Sequence, residues 1–253
     1  MEVTQQLNQF FMENKLNWSD FEFLMDESWH NDLKPWIESK ECYDIYQKLK
    51  NLPKGEVIPK SNLLWRPFKE CKKDNLKVVF MGLSPYHTRF NNKDYADGLA
   101  FSTMLSKTPP SLELLKNAIQ DDLGYNGDKP NDLSYLAEQG ILLLNAALTT
   151  SYQKAGNHLD LWYPFHKYMY ENVYPKHNGL IFIYFGKEAS KLAKLETPFI
   201  HYNKIVEHPA AAARQNREFK HDNLFSFINK LLKGNNGSDF VIDWMKFSET
   251  LPF

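Results

Sequence analysis

Four short apolar runs, each followed by a stretch of helical spacing, constrain the fold more than any other feature of this chain. Leu76–Gly82, Gly140–Asn145, Leu180–Gly186 and Phe199–Glu207 each read as a strand. The first three are compact and mostly apolar, as expected of strands buried on both faces. Leu112–Leu123, Trp162–Tyr174, Lys187–Leu195 and Phe219–Leu232 carry helical spacing, the first of them behind Pro109-Pro110-Ser111, which suits a helix start. Strands alternating with helices predict an α/β fold of three layers, α/β/α, around a central, mostly parallel four-stranded sheet. The first sixty-odd residues have another texture. Leu7, Phe10, Phe11, then Phe21, Phe23, Leu24, then Tyr43, Tyr46, Leu49 give apolar helical faces in a polar background, and Pro53, Gly55 and Pro59 break the pattern. The expectation is a single domain over 1–253, with residues 1–70 forming a helical N-terminal extension packed on it.

A chain of 253 residues can bury a substantial core, and 43% hydrophobic with 15% aromatic residues excludes a disordered chain. The longest apolar runs are strand-sized, which argues against a membrane span. Met1–Gln9 lacks an apolar signal core, and the two cysteines, Cys42 and Cys71, make neither a disulfide framework nor a zinc quartet. A reduced, cytoplasmic protein is expected. Lysine plus arginine number 30 against 31 acidic residues, a formal charge of −1. That balance argues against coating nucleic acid by bulk charge, and it leaves room for a local basic face.

In a parallel α/β sheet, ligands gather beyond the carboxyl ends of the strands. Those ends carry Ser84-Pro85-Tyr86-His87, Asn145, Gly186-Lys187 and His208-Pro209. Singly, each has an ordinary explanation: an asparagine after a strand caps a turn, a Gly-Lys pair opens a helix, a histidine before proline is a satisfied side chain. Their convergence at all four strand ends marks a candidate site.

These segments also carry a resemblance. Gly82-Leu83-Ser84-Pro85-Tyr86-His87 resembles the water-activating loop of family 1 uracil-DNA glycosylases, usually Gly-Gln-Asp-Pro-Tyr-His. Gly98-Leu-Ala-Phe-Ser102 is similar to that family's pyrimidine-stacking segment, Pro109-Pro-Ser-Leu112 to its proline-rich loop, and Gln139–Asn145 to its base-reading strand. Phe185-Gly186-Lys187 stands where the family has a glycine-serine loop. His208-Pro209 opens the equivalent of its minor-groove loop, and Ile242-Asp243-Trp244 resembles its C-terminal signature. The matches keep family order from about residue 75 to 245, roughly two-thirds of the chain.

The residue types suit the chemistry that the resemblance implies. Removing a base from DNA first requires taking it out of the stack, at a cost of a few kcal/mol. Phe101 then offers a π-face, and the Asn145 amide offers one donor and one acceptor to the uracil edge. By resemblance, Tyr86 closes the C5 edge against thymine, His208 donates to the uracil carbonyl as negative charge develops there, the Leu83 backbone assists, and His87 lies beside the attacking water. Ser111, Lys187, Ala212 and Arg214 fall at DNA-facing positions, with Arg217 and Lys220 completing a local basic set.

Two departures stand out. Ser84 replaces the family's aspartate, and losing a positioned acid–base group typically costs about 10²–10⁴ in rate, or roughly 3–5 kcal/mol. Three explanations stay open from sequence: a slow natural enzyme or one helped by another carboxylate (Asp94 and Asp97 are nearest), a protein turned binder, or a change engineered to trap a complex. The family's leucine wedge falls on Ala212, too short to plug a base-sized void. Arg214 is the candidate substitute, with a simple phosphate contact an equal reading. The poxvirus branch has a similar His-Pro-Ala-Ala start and Arg-Gln pair.

The leading expectation is a monomeric DNA glycosylase that excises uracil from single- or double-stranded DNA, without metal or cofactor. Its rivals are a catalytically silent uracil- or DNA-binding protein on the same fold and a glycosylase for another modified pyrimidine. A DNA-mimicking inhibitor protein is a partner open to the family.

Overall fold

The computed structural model describes residues 15–124, 130–195, 202–236 and 240–245. Its centre is a four-stranded sheet of β1 (Val78–Gly82), β2 (Ile141–Asn145), β3 (Ile181–Phe185) and β4 (Tyr202–Val206), ordered β2-β1-β3-β4. All three pairings are parallel. The register sets Gly82 opposite Asn145 and Phe185 opposite Val206, so the chemistry-bearing ends finish side by side.

Every residue of β1, β2 and β3 is buried, which accounts for their apolar sequences, broken only by Asn145 at the end of β2. The two edge strands differ: β2 is covered throughout, whereas of the five residues of β4 only Val206 is buried. The expected strand start at Phe199 lies outside the described residues, as do Leu7, Phe10 and Phe11.

Nine α-helices flank the sheet among the described residues: α1 (His30–Ile37), α2 (Lys40–Lys50), α3 (Arg66–Glu70), α4 (Pro110–Leu123), α5 (Ser134–Glu138), α6 (Leu159–Tyr168), α7 (Gly186–Ser190), α8 (Pro209–Arg214) and α9 (Leu224–Asn236). Side-chain alternation along β3 shows the two covered faces. Phe182 and Tyr184 meet Tyr170 from the stretch after α6; Phe185 instead meets Phe80, which stacks on Trp244, itself packed on Phe225 of α9. The predicted three-layer α/β/α architecture is therefore the observed one.

Local signals explain several boundaries. α2 starts where the Ser39 side chain accepts the Cys42 N–H at 3.2 Å, and α4 starts on Pro110, whose missing N–H costs nothing in a first turn. Two predicted helices differ from observation. Trp162–Tyr174 begins earlier, at Leu159, and widens to a π-turn over Met169–Val173. Phe219 lies in the loop before α9, buried against Phe185, so its apolar character reflects packing rather than helix.

The N-terminal segment is built of short 3₁₀ turns followed by α1 and α2. Phe21 is buried, while Phe23 points to solvent at 68% exposure. Trp29 packs on Phe68, and Trp36 packs on Phe165 and Tyr168 of α6. Asp32, 4% exposed, ties the layers together through Lys73 and Lys176, while its carbonyl accepts from the Tyr168 hydroxyl. One buried cluster runs from Trp18 to Trp244.

Candidate active site

The carboxyl ends of the strands open into a cavity of about 630 Å³. Its walls include Leu83, Tyr86, His87, Phe101, Asn145 and His208, with Ser84 and Ser111 beside them and Lys187 and Arg214 at the rim. Residues far apart in sequence meet there because the loops leave four adjacent strands on the same side.

Asn145, 5% exposed, ends β2. Its amide oxygen lies over Gly82, where an added Cβ would come within 2.5 Å. The glycine is thus the space that the amide occupies. The amide makes no hydrogen bond to a described residue, so its donor and acceptor are both left for a ligand edge. A second glycine sets the opposite wall. Gly186 has φ +87°, and a Cβ there would lie 3.0 Å from the His208 Cβ.

His208 is the N-cap of α8, its Nδ1 accepting the Ala210 N–H at 3.1 Å. That bond requires Nδ1 without a proton, so Nε2 carries it. Burial, reinforced by the Arg214 charge, pushes the imidazole pKa down to about 4. The side chain is therefore neutral at neutral pH and offers one N–H donor.

Phe101 forms a platform, 6% exposed, edge-on to Phe185 at 4.7 Å and tilted against His208 at 5.6 Å. Its backbone is left-handed (φ +66°), a conformation costing a non-glycine residue on the order of 1–3 kcal/mol. Two anchors hold it. The Tyr86 hydroxyl donates to the Phe101 carbonyl at 2.9 Å, and buried Asp97 grips the flanking residues through the Leu99 N–H and the Ser102 hydroxyl.

Ser84 lines the cavity, but its oxygen is engaged: it accepts the Gly156 N–H at 3.1 Å. Among the described residues no unpaired carboxylate lines the cavity to replace the missing charge. Asp97 is closed into an ion pair with Arg66 at 2.7 Å, and Asp94 into one with Arg89 at 2.6 Å; neither lines the cavity. The expectation that one of them assists Ser84 is therefore corrected. The carboxylates that do line it, Glu188 and Glu207, are paired with Lys191 and Arg217. His87 lies beside Ser84 with its ring unbonded to any described residue, and burial, then Arg214, lowers its pKa.

The DNA-facing assignments are redistributed. Ala212 is fully buried in α8 and does not line the cavity, so the position read as the lost wedge is a core position. Ser111 is 5% exposed, and its hydroxyl donates to the Tyr86 oxygen rather than outward. Arg217 is held by Glu207. Lys187 and Arg214 are exposed, and neither makes an ion pair with a described residue. Sequence reasoning missed the grip of Gly156 on Ser84 and the Arg66–Asp97 pair under the stacking segment; single residue types gave no signal for either. Among the described residues no group of three His, Cys, Asp or Glu side chains is placed to hold a metal, and no helix is long and apolar enough to cross a membrane.

An apolar slot with an aromatic floor, an amide unbonded to any described residue, one neutral imidazole donor and a cationic rim defines an α/β protein with a small-ligand site at the carboxyl ends of its strands. Comparison with known proteins narrows the class. Residues 68–233 match the uracil DNA glycosylase superfamily, and the chain belongs to it. It is 35% identical over 223 residues to a uracil-DNA glycosylase of Campylobacter fetus, covering 87% of this chain and 93% of that one. It is 30% identical to that of Azobacteroides pseudotrichonymphae, covering 87% and 98%. The fold is similar to that of mimivirus uracil-DNA glycosylase, with TM-score 0.79 and 24% identity over 93% of this chain and 92% of that one.

Proposed function

We propose that this protein hydrolyses the N-glycosidic bond of uracil in DNA, at a rate reduced by the absence of a carboxylate at position 84. The observation that carries this reading is the gathering of Tyr86, Phe101, Asn145 and His208 around one cavity. Phe101 stacks the flipped ring. The Asn145 amide meets the ring N–H and the adjacent carbonyl. Tyr86 closes the C5 edge, and His208 Nε2–H donates to the carbonyl that gains charge.

In the reaction the C1′–N1 bond breaks with its electron pair going to uracil. Water adds to C1′, and its proton is lost, leaving free uracil and an abasic sugar. A preorganised donor such as His208, aimed at the oxygen where charge develops, is worth roughly 3–4 kcal/mol. Ser84 can accept a hydrogen bond from that water but contributes no charge. His87, its ring unbonded to any described residue and its pKa lowered by burial and then by Arg214, is the candidate to take the proton.

The test is incubation with a uracil-containing oligonucleotide followed by alkali. Strand cleavage at uracil is expected. Binding without cleavage, at high enzyme and long times, would overturn the hydrolytic reading in favour of a silent binder; the missing carboxylate is the observation on that side. A protein inhibitor is a further proposed partner for the Lys187–Arg214 rim, since the structural neighbours include mimivirus UNG variants in complex with UGI. Loss of DNA binding on adding UGI is the expected result.

A further inference from the structure

Ser111 stands where the resemblance put a DNA-facing residue, yet its environment assigns it other work. It is 5% exposed, in the first turn of α4, and its hydroxyl lies 3.1 Å from the Tyr86 oxygen. The direction of that bond follows from proton counting. Tyr86 has one hydroxyl proton, and it is given to the Phe101 carbonyl at 2.9 Å. The Ser111 hydroxyl is therefore the donor to Tyr86, and its own single proton is spent. A phosphate oxygen only accepts, so the serine hydroxyl has nothing to offer it without giving up the tyrosine.

We propose that Ser111 is a positioning residue for pyrimidine selection, orienting through Tyr86 and the Phe101 carbonyl the wall that separates uracil from 5-substituted pyrimidines. Ser111, Tyr86 and Phe101 form one directional chain, hydroxyl to hydroxyl to carbonyl. Its far end holds the residue that keeps a left-handed backbone under the base-stacking ring. Its middle is the ring at the C5 edge, which also packs against Tyr95 at 6.1 Å. Edge wall and stacking floor thus move together, and the start of α4 sets both. Removing the serine hydroxyl leaves the Tyr86 oxygen without its donor and frees the ring to tilt out of the C5 position.

This rests on the pyrimidine-excising reading above, and the experiment separates the two. Ser111→Ala and Ser111→Thr are compared with the parent in three measurements: excision from uracil- and thymine-containing single strands, binding of free uracil against free thymine, and DNA binding. Ser111→Ala is expected to shrink the uracil-over-thymine ratio by about tenfold, the low end of what a single methyl group is worth in a pocket. Ser111→Thr, which keeps the hydroxyl, restores the ratio, and DNA binding stays at the parent value. An unchanged ratio with DNA binding weakened against the parent would overturn the proposal and return Ser111 to phosphate contact. An unchanged ratio with unchanged DNA binding also overturns it. Uracil binding with selection intact but no excision in the parent sinks the hydrolytic reading alone, because the free-base comparison still tests Ser111.

Discussion

Ser84→Asp places a carboxylate beside the sugar and asks whether the rest of the pocket is built for glycosidic cleavage. The introduced group inherits a ready partner: the Gly156 N–H now bound by the serine oxygen at 3.1 Å. No neighbouring free acid opposes its ionisation, since Glu188 and Glu207 are paired and Asp94 and Asp97 lie outside the cavity. A carboxylate about 4 Å from a developing sugar cation contributes roughly 4 kcal/mol at an effective dielectric near 20. That corresponds to about 10³ in rate, inside the range of about 10²–10⁴ for a positioned acid–base group. The assay is single-turnover excision with enzyme in excess over a uracil-containing duplex, which isolates chemistry from product release. The variant is expected to excise about a thousandfold faster than the parent. Its rate should also acquire a limb that rises with pH through the carboxylate pKa, which the parent lacks. A gain below about threefold, with the melting temperature and uracil binding preserved, would refute the reasoning. The cavity would then not hold the sugar beside residue 84.

Three further outcomes follow from the geometry. Gly82→Ala drives a methyl to within 2.5 Å of the Asn145 amide oxygen, so uracil binding should weaken at least about tenfold, measured by titration with free uracil. Unchanged affinity would mean that the amide does not read the base. Arg214→Ala should lower excision from duplex more than from single strands if the exposed guanidinium fills the vacated stack; equal losses would mark a phosphate contact. His166 is fully buried, bonded through Nε2 to the Ala146 carbonyl, and burial lowers its pKa from 6.5 to about 4. Its neutral form is favoured on folding, so its contribution is whole above pH 6.5 and is lost as pH falls toward 4, about 3 kcal/mol in all. His166→Gln should flatten the fall of unfolding free energy across that window, and an undiminished slope would refute the assignment.

The sheet was legible because burial on both faces leaves a mark in sequence. Val78–Gly82, Ile141–Leu144 and Ile181–Phe185 carry no charged or amide side chain and no alternation to confuse their period. Tyr202–Val206 was less sharply marked because only Val206 of its five residues is buried, so the strand tolerates Asn203 and Lys204. The site was legible as residue types at strand ends. Which atoms were free was not. Ala212 and Ser111 were assigned by their place in a motif, and only packing shows that one is buried in α8 and the other has spent its proton on Tyr86. Asp94 and Asp97 looked available because they lie near Ser84 in the chain. Their partners Arg66 and Arg89 neutralise them from outside the motif, and no local pattern announces such a pairing.

Those pairings give the cavity a one-sided electrostatic character. Each lining acid is matched by its own cation, Glu188 by Lys191 and Glu207 by Arg217. The rim cations Lys187 and Arg214 have no such match among the described residues. The neutral His208 adds a donor directed at negative charge. A heterolytic cleavage needs both halves of its transition state stabilised, the anionic base and the cationic sugar. This protein supplies groups for the first half and, with serine at position 84, no charge for the second. The phosphates flanking the flipped nucleotide are then the remaining source of negative potential, and they act only on a bound polymer. Excision should therefore depend on the phosphates beside the uracil more strongly than in the Ser84→Asp variant. Replacing those two phosphates with neutral methylphosphonates should slow the parent by a larger factor than the variant. Equal factors would show that the parent already holds the sugar cation by some group of its own.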